Sequence, residues 1–593
     1  RLVIVFKGLS KQITQEAKEV KGPNINAPEK AIEGFLRSNK LNSTDLYKKK
    51  TEKGEFYFFK KPSQKLFTIH LLEENIPTIL DTLQWKKSMK WGNYNLNWAR
   101  PLKSILAVFD NKNLNFNFYH LKASNTSFID KEFEDKKRAF KNFESYKNFF
   151  YKFDIIIDHI SRKKFIKKEL DRISKKKNFI VELNDKLLDE VTNIVDKPNI
   201  LICKFDEKFL SIPKEILNIT MQHHQKYFPT FDKKGKIMNE FLVVANQKDK
   251  SGYIKLGNER VVDARLSDAK FFWEKNKSQN LVKQVSKLKL INYFNGLGSY
   301  FEKIQRMRKL GGIISDELLI SKDKVELSAS ICKVDLISDL VGEFPELQGV
   351  MGGYFAEEQG FDKEISLAIS EHYLPTGINS RIPKKPYSIA LALADKIDTL
   401  VGFFGINQKP TSSKDPYALR RSSLGLIKLI IDNNKELNVK YLIDSSILFY
   451  RDQGFELLNK TLQKELTDFL FERLKYYMKE KEIRNDIIEA SINSNNLNNM
   501  NKLFKKGLTL NNVIKKQIGE DIVYSYKRAY NIIENELKNE DIELSNKTDP
   551  GIFKNDYEVN LLKKIDELKK YFTGIDRDEN YLESLSNLAA SKE

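Results

Sequence analysis

The residues best suited to chemistry are two aspartates in the middle of the chain. Asp395 and Asp398 lie three positions apart, so a helix would place both carboxylates on one face. Such an acid pair suits proton transfer or cation binding. The alternative is that both acids are solvated and balance Lys396 and Lys409. We favour the solvated alternative, because charged residues at helical spacing usually face water.

Motifs for phosphates and metals are missing. No Gly-x-x-x-x-Gly-Lys-Ser/Thr loop and no Gly-x-Gly-x-x-Gly occurs in the sequence. His223 and His224 are the only adjacent histidines, and helical neighbours point about 100° apart, which is a poor chelate. Cys203 and Cys332 are far apart, which excludes a disulfide framework and a cysteine-based zinc site. We therefore predict that this chain binds no metal and no cofactor.

One segment interleaves aromatic rings with cations. Lys86, Lys87, Lys90 and Trp91 fall within residues 85–92. This mixture of side chains stacks on bases and neutralises backbone phosphates, so we expect contact with RNA. The alternative is a tryptophan-anchored edge of the core with solvated lysines around it.

A second basic segment leads into a helix. Residues 410–421 contain Lys414, Arg420 and Arg421, and the dipeptide Asp415-Pro416 predicts a helix start with Asp as cap and Pro at the first helical position. Free backbone N–H groups and two arginines there suit a phosphate. The alternative is that the arginines pair internally with Asp395 or Asp398.

The charge and composition of the chain indicate which classes of partner it can bind. The 593-residue chain has 101 Lys and Arg against 81 Asp and Glu, a net charge of +20. Such an excess favours polyanions, although abundant Lys, Asn and Ile throughout the chain account for part of it. No apolar run approaches the roughly 18 residues of a membrane helix. With only two cysteines, the chain fits a reducing cytoplasm.

The hydrophobic pattern predicts an α+β multidomain protein. In the N-terminal part we expect a strand at 1–6, a hairpin of 104–109 with 114–119, and a Lys-rich helix at 161–177. Residues 200–205 and 241–246 are candidate buried strands. After about residue 285 the pattern becomes helical, with one apolar face running from Leu327 to Val341.

We expect four divisions of the chain. They are N-terminal α+β modules at 1–285, a helical domain at 286–435, a helical linker at 436–500 and a C-terminal helical domain at 501–593. The last boundary rests on the Asn-rich stretch 491–501, whose small polar residues break helices.

Several long motifs, in order along nearly the whole chain, resemble the β subunit of bacterial glycyl-tRNA synthetase. The motifs are 53–57, 85–92, 97–101, 221–228, 257–260, 266–274, 341–352, Ala394-Asp395-Lys396-Ile397-Asp398 with 399–402, Lys414-Asp415-Pro416-Tyr417-Ala418-Leu419-Arg420-Arg421 and 526–533. The last includes Lys527 and Arg528, in a Lys-Arg-x-x-Asn-Ile segment typical of the family's C-terminal domain. The resemblance also leads us to expect that both ends of a full-length subunit are missing.

The resemblance implies a heterotetramer of two α and two β subunits. The α subunit would activate glycine with ATP and magnesium, and the β subunit would bind tRNA(Gly). The second half would hold a region similar to HD phosphohydrolases and a domain similar to the anticodon-binding domain of arginyl-tRNA synthetase. In the HD-like region, Lys333 and Asp335 stand where a metal-binding His-Asp pair belongs, and only Asp395 remains a plausible ligand. We therefore interpret this region as a degenerate scaffold.

Two other functions stay open at the level of sequence. One is an HD-type, metal-dependent nucleotide phosphohydrolase, which the missing His-Asp pair disfavours. The other is a stand-alone RNA-binding protein with no enzyme partner.

Overall fold

The computed structural model describes residues 2–52, 54–129, 136–492, 497–539 and 548–572. The chain forms two compact units. The N-terminal unit comprises Arg1–Glu207 and Met221–Asp263, and the C-terminal unit comprises Lys208–Thr220 and Ala264–Glu593. Among the residues in these described ranges, no helix is both long and apolar enough to cross a membrane.

The N-terminal unit mixes short strands with helices. Its strands are β1 (Gln12–Gln15), β2 (Lys18–Asn24), β3 (Tyr47–Thr51), β4 (Gly54–Lys61), β5 (Gln64–Phe67), β6 (Ile105–Leu106), β7 (Val108–Phe109), β8 (Lys112–Asn113), β9 (Asn117–Phe118), β10 (Leu121–Ser124), β11 (Thr126–Ser127), β12 (Arg138–Ala139), β13 (Ile180–Val181), β14 (Asn199–Lys204), β15 (Phe228–Phe231) and β16 (Ile237–Ala245). Its helices are α1 (Glu29–Asn39), α2 (Thr68–Asp81), α3 (Phe143–Tyr151), α4 (His159–Lys177) and α5 (Asp185–Ile194).

Helix α4 and an antiparallel sheet share the main core of this unit. The sheet has the order β13-β15-β16-β14, and Ile200 lies opposite Val244 in the pairing of β14 with β16. Ile166 and Leu170 of α4 are fully buried in a cluster with residues of α5 and this sheet. The predicted helix and both predicted buried strands are confirmed, because their apolar periodicity matches the buried face.

One local prediction in this unit is wrong, and another is confirmed in part. Residues 2–6 have no regular structure and are exposed, so the predicted first strand is absent there. The predicted hairpin forms, but its turn is only the two residues Asp110 and Asn111, both with positive φ, so β7 pairs with β8. Beyond this pair, the Leu114 N–H donates to the Ala107 carbonyl at 3.0 Å. A two-residue turn with positive φ at both positions suits a tight hairpin. Leu114, Phe116 and Phe118 are nevertheless buried at alternate positions, as predicted.

The C-terminal unit is almost entirely helical. Its elements are α6 (Lys214–Asn218), α7 (Tyr253–Lys277, which starts before the unit's own residues), α8 (Leu281–Gln284), β17 (Asn292–Phe294), β18 (Gly298–Ser299), α9 (Tyr300–Leu318), α10 (Lys322–Ile331), α11 (Asp339–Glu343), α12 (Val350–Glu358), α13 (Lys363–Glu371), α14 (Pro386–Gly405), α15 (Leu419–Ile431), α16 (Val439–Asp452), α17 (Leu462–Glu480), α18 (Asn485–Ile492), α19 (Met500–Ile514), α20 (Gln517–Asn539) and α21 (Asp556–Phe572). The predicted α+β class with a helical second half is confirmed.

The apolar face predicted from Leu327 to Val341 is not one helix. Helix α10 ends at Ile331, a short 3₁₀ turn follows at Val334–Ile337, and α11 then begins. The break has a local cause, since the Ser338 hydroxyl accepts a hydrogen bond from the Val341 N–H at 3.2 Å and caps the new helix. The four predicted domain divisions stay a prediction, and residues 540–547 and 573–593 of the last one lie outside the described residues.

Candidate functional site: a buried charge cluster and exposed cations

Helices α9 and α14 bring two cations and two acids together in the interior. Lys303 Nζ lies 3.4 Å from Asp395 Oδ1 and 3.0 Å from Asp398 Oδ2. Arg306 Nε lies 2.6 Å from Asp398 Oδ1. All four side chains are buried. Burial alone would raise the pKa of Asp398, but the charges of Arg306 and Lys303 outweigh it and hold that pKa below its usual value.

Asp395 and Asp398 therefore share one helix face, as the spacing predicts, but the solvated alternative is wrong. Helix α14 is apolar on all sides and is buried along nearly its whole length, so its acids are carried into the interior. Charges there persist only when they are paired.

The partners expected from the sequence lie elsewhere. Lys396 donates to the carbonyl of Tyr373 at 3.0 Å, and Lys409 pairs with Glu465. The Arg420 guanidinium donates to the carbonyl of Thr411, not to an acid of α14.

Lys333 extends the cluster on the other side of Asp395. Its ammonium lies 2.9 Å from Asp395 Oδ1, 2.8 Å from His372 Nε2 and 3.7 Å from the centre of the Tyr373 ring. Nδ1 of His372 lies 2.6 Å from the carbonyl of Ile369 and donates to it, so Nε2 keeps the lone pair that accepts from Lys333. Burial, followed by the charge of Lys333, lowers the pKa of His372 to about 3, so this imidazole is neutral.

The Asp335 carboxylate stabilises a backbone turn by accepting hydrogen bonds from main-chain N–H groups. Its Oδ2 accepts hydrogen bonds from the N–H groups of Gly349 and, at 3.1 Å, of Gly352, around the start of α12. Burial raises the pKa of Asp335 to about 6, although both hydrogen bonds favour the charged form. The carboxylate thus stabilises the N-terminal end of a helix, a common place for an acid.

The residues around Asp395 do not fit a divalent metal. The carboxylate and the imidazole that would ligate one already contact the Lys333 ammonium, and Lys303 adds a second positive charge within 3.4 Å of Asp395. Like charges at this distance repel strongly in a buried site. The interpretation of Lys333, Asp335 and Asp395 as a degenerate metal site stays a prediction, and this geometry supplies its physical reason.

We expect the purified chain to carry zinc, manganese and iron only below stoichiometric amounts. The Lys333 ammonium occupies the position beside Asp395 and His372 that a metal would need. Elemental analysis after extensive dialysis measures this directly. One equivalent of metal that is lost in an Asp335→Asn or Asp395→Asn variant would show that the cluster is a metal centre.

Four residues that were not predicted from the sequence complete the cluster: Lys303, Arg306, His372 and Tyr450. Tyr450 Oη lies 3.1 Å from a guanidinium nitrogen of Arg306. A signal for the first two was available, because Lys303 and Arg306 alternate on α9 with the buried residues Ile304 and Met307. Cations on the apolar face of a helix need buried acids as partners.

The first predicted RNA-contacting segment lies in the N-terminal unit, after α2. Lys86, Lys87 and Lys90 are exposed, whereas Trp91 is half-buried. The Trp91 ring packs against a cluster that contains Leu96, Trp98 and Phe118. The segment thus combines solvated lysines with a ring anchored at the edge of the core.

The second segment precedes α15 in the C-terminal unit. Asp415 accepts hydrogen bonds from the N–H groups of Leu419 and Arg420, but the helix begins at Leu419 rather than at Pro416, because Ala418 takes a left-handed conformation. Lys414 and Arg421 are exposed, and Arg420 is half-buried.

Lys527 and Arg528 lie on α20 and are exposed. Within the described part of the chain, neither side chain forms an ion pair. Asp521 accepts from Gln517, and Glu534 is engaged by Tyr530 and Lys538, so these acids have other partners. Tyr526 and Tyr530 flank the two cations, with ring centres 6.1 Å apart.

The chain matches a family model described as "Glycyl-tRNA synthetase beta subunit" over residues 1–493. It is 35% identical to the glycine–tRNA ligase beta subunit of Rickettsia typhi over 594 residues, which covers 100% of this chain and 86% of that protein. It is 36% identical to the glycine–tRNA ligase beta subunit of Rickettsia canadensis over 537 residues, which covers 90% of this chain and 78% of that protein. The chain therefore belongs to the glycyl-tRNA synthetase beta subunit family and is one subunit of a multi-subunit glycine–tRNA ligase.

Proposed function

We propose that this chain binds tRNA(Gly) and positions it for a separate α subunit, which forms glycyl-adenylate from glycine and ATP with magnesium. The observation that carries the proposal is the family match across residues 1–493, with relatives named as beta subunits that align with the entire chain. The absence of any phosphate-binding loop from the sequence supports the same division of labour. On this proposal the chain acts in the cytoplasm, and ATP and magnesium act in the α subunit.

A subunit that catalyses no chemical step can still accelerate glycine transfer by positioning the tRNA. Transfer of glycine requires the hydroxyl of the 3′ adenosine to be held beside the adenylate, and good alignment lowers such a barrier by roughly 7–11 kcal/mol at best. Phosphate contacts set the register of the tRNA, and unpaired bases supply identity. The candidates for the phosphate contacts are the exposed cations among the predicted residues: Lys86, Lys87, Lys90, Lys414, Arg421, Lys527 and Arg528.

The buried charge cluster supports a structural role for the HD-like helices. Lys303, Arg306 and Lys333 contact acids of α14, so these cations are not available to a substrate phosphate. A nucleotide phosphohydrolase would need a metal beside Asp395, where Lys333 lies instead.

We expect the isolated chain to give only background pyrophosphate exchange with glycine and ATP. Exchange should appear when the α subunit is added, and transfer of glycine to tRNA(Gly) should require both subunits. Both reactions are measured with the α subunit added and withheld, at equal concentrations of this chain.

Clear exchange by this chain alone would contradict the division of labour. Metal-dependent release of phosphate from nucleotides by the isolated chain would favour the phosphohydrolase instead. Tight tRNA(Gly) binding with no stimulation of glycylation would favour a stand-alone RNA-binding protein.

A further inference from the structure

Helix α4 carries an unusual density of cations without partners. Residues 159–177 contain nine Lys and Arg against two acids. Arg162 is buried and donates to the carbonyl of Thr192 at 2.7 Å, Lys163 pairs with Asp189 at 2.6 Å, and Arg172 pairs with Glu169 at 2.8 Å. The remaining cations are exposed and form no ion pair with any residue in the described ranges: Lys164, Lys167, Lys168, Lys175, Lys176 and Lys177.

Lys164, Lys167 and Lys168 do not stabilise the helix, in contrast to the three lysines at its C-terminal end. Lys175, Lys176 and Lys177 lie in the last turn, where positive charge stabilises the negative end of the helix dipole. Lys164 and Lys168 instead lie one turn apart, as do Lys163 and Lys167, and like charges at this spacing destabilise a helix. A charged face that opposes local stability is expected where function requires it.

The other face of α4 argues against a membrane as the partner. Its apolar residues Ile166, Leu170 and Ile173 are buried in the core with α5 and the four-stranded sheet. A helix that binds lipid needs such a face free for insertion into the membrane interface. The exposed face of α4 therefore offers a row of point charges, which suits the evenly spaced phosphates of a nucleic acid.

We infer that the face of α4 formed by Lys164, Lys167 and Lys168 binds backbone phosphates of the tRNA, in addition to the segments named above. This inference rests on the proposed tRNA-binding function. Successive turns place Lys164 and Lys168 about 6 Å apart along the helix, so the row follows a phosphate backbone without reading bases.

The test compares two triple variants of the full chain, each assembled with the α subunit. One is Lys164→Gln/Lys167→Gln/Lys168→Gln. The matched control is Lys233→Gln/Lys234→Gln/Lys236→Gln, which removes the same charge from exposed lysines of the same unit. Affinity for tRNA(Gly) is measured at several salt concentrations, and pyrophosphate exchange without tRNA reports intact assembly.

We expect the α4 variant to reduce the slope of log affinity against log salt by about 3, one for each phosphate contact, and to weaken binding at least about tenfold at low salt. The control should change the slope by less than about 1. The melting temperature of the α4 variant should stay level or rise, because like-charge pairs are removed.

Equal slopes for the α4 variant and the control, with tRNA binding intact, would overturn the inference and leave the proposed function standing. If the unmodified enzyme showed no salt-dependent tRNA binding, the proposed function would fall as well. Vesicles of phosphatidylcholine with phosphatidylserine form a separate arm. Loss of vesicle binding without loss of tRNA binding in the α4 variant would assign the face to a lipid surface and overturn the inference.

Discussion

Replacing Asp398 by alanine should lower the free energy of unfolding by about 3–5 kcal/mol. The Asp398 carboxylate is fully buried and contacts both Lys303 and Arg306, at 3.0 and 2.6 Å. Its removal leaves Arg306 without an acid and leaves Lys303 with Asp395 alone, which already contacts Lys333. An uncompensated buried charge costs far more than the ion pair itself contributes.

The measurement is hydrogen exchange of the backbone amides of α9 and α14, supported by denaturant unfolding. Exchange is preferred because the two units need not unfold together, and it reports each helix separately. The matched control is Asp452→Ala, which removes an exposed acid that lies 3.6 Å from the exposed Lys309.

The Asp452→Ala control should change stability by less than about 1 kcal/mol, since exposed ion pairs contribute little. The Asp398→Asn variant distinguishes the effect of losing the negative charge from the effect of losing the side chain, because asparagine keeps a similar shape and hydrogen-bonding atoms. Equal protection of α9 and α14 in the Asp398→Ala and Asp452→Ala variants would show that the cluster does not support the helical unit.

The double variant Lys527→Ala/Arg528→Ala should weaken tRNA binding on all tRNA sequences alike and reduce the salt slope by about 2. Both cations are exposed on α20 and have no acidic partner among the described residues. Phosphate contacts carry no sequence information, so the loss of affinity should not depend on the bases. The measurement is tRNA affinity of the assembled enzyme across several salt concentrations.

Lys233→Ala/Lys234→Ala is the matched control, because it removes two exposed charges from the N-terminal unit. Glycine-dependent pyrophosphate exchange without tRNA should be unchanged in both variants. Unchanged affinity and slope in a folded Lys527→Ala/Arg528→Ala protein would remove these residues from the RNA surface. Lost exchange with intact tRNA binding would place them at the contact with the α subunit.

Local patterns in the sequence were sufficient to predict part of the secondary structure and of the buried core. The Lys-rich amphipathic pattern of 161–177 predicted α4, whose apolar residues Ile166, Leu170 and Ile173 are buried, and the alternation of Leu114, Phe116 and Phe118 predicted one buried face. These features depend on neighbours a few residues away, so the repeat of a helix or strand reveals them. The ordered motifs likewise indicated the family, since they are properties of the chain itself.

The pairing of the buried charges was decided by tertiary structure alone. Asp398 contacts Lys303 and Arg306, which lie 95 and 92 positions away in the sequence. Lys333 contacts His372, which lies 39 positions away. The sequence instead suggested Lys396, Lys409 and the arginines of 410–421, which are nearer to Asp395 and Asp398 along the chain. Helix packing determines which cations reach an acid in the interior, and desolvation then excludes every arrangement in which a buried charge lacks a partner.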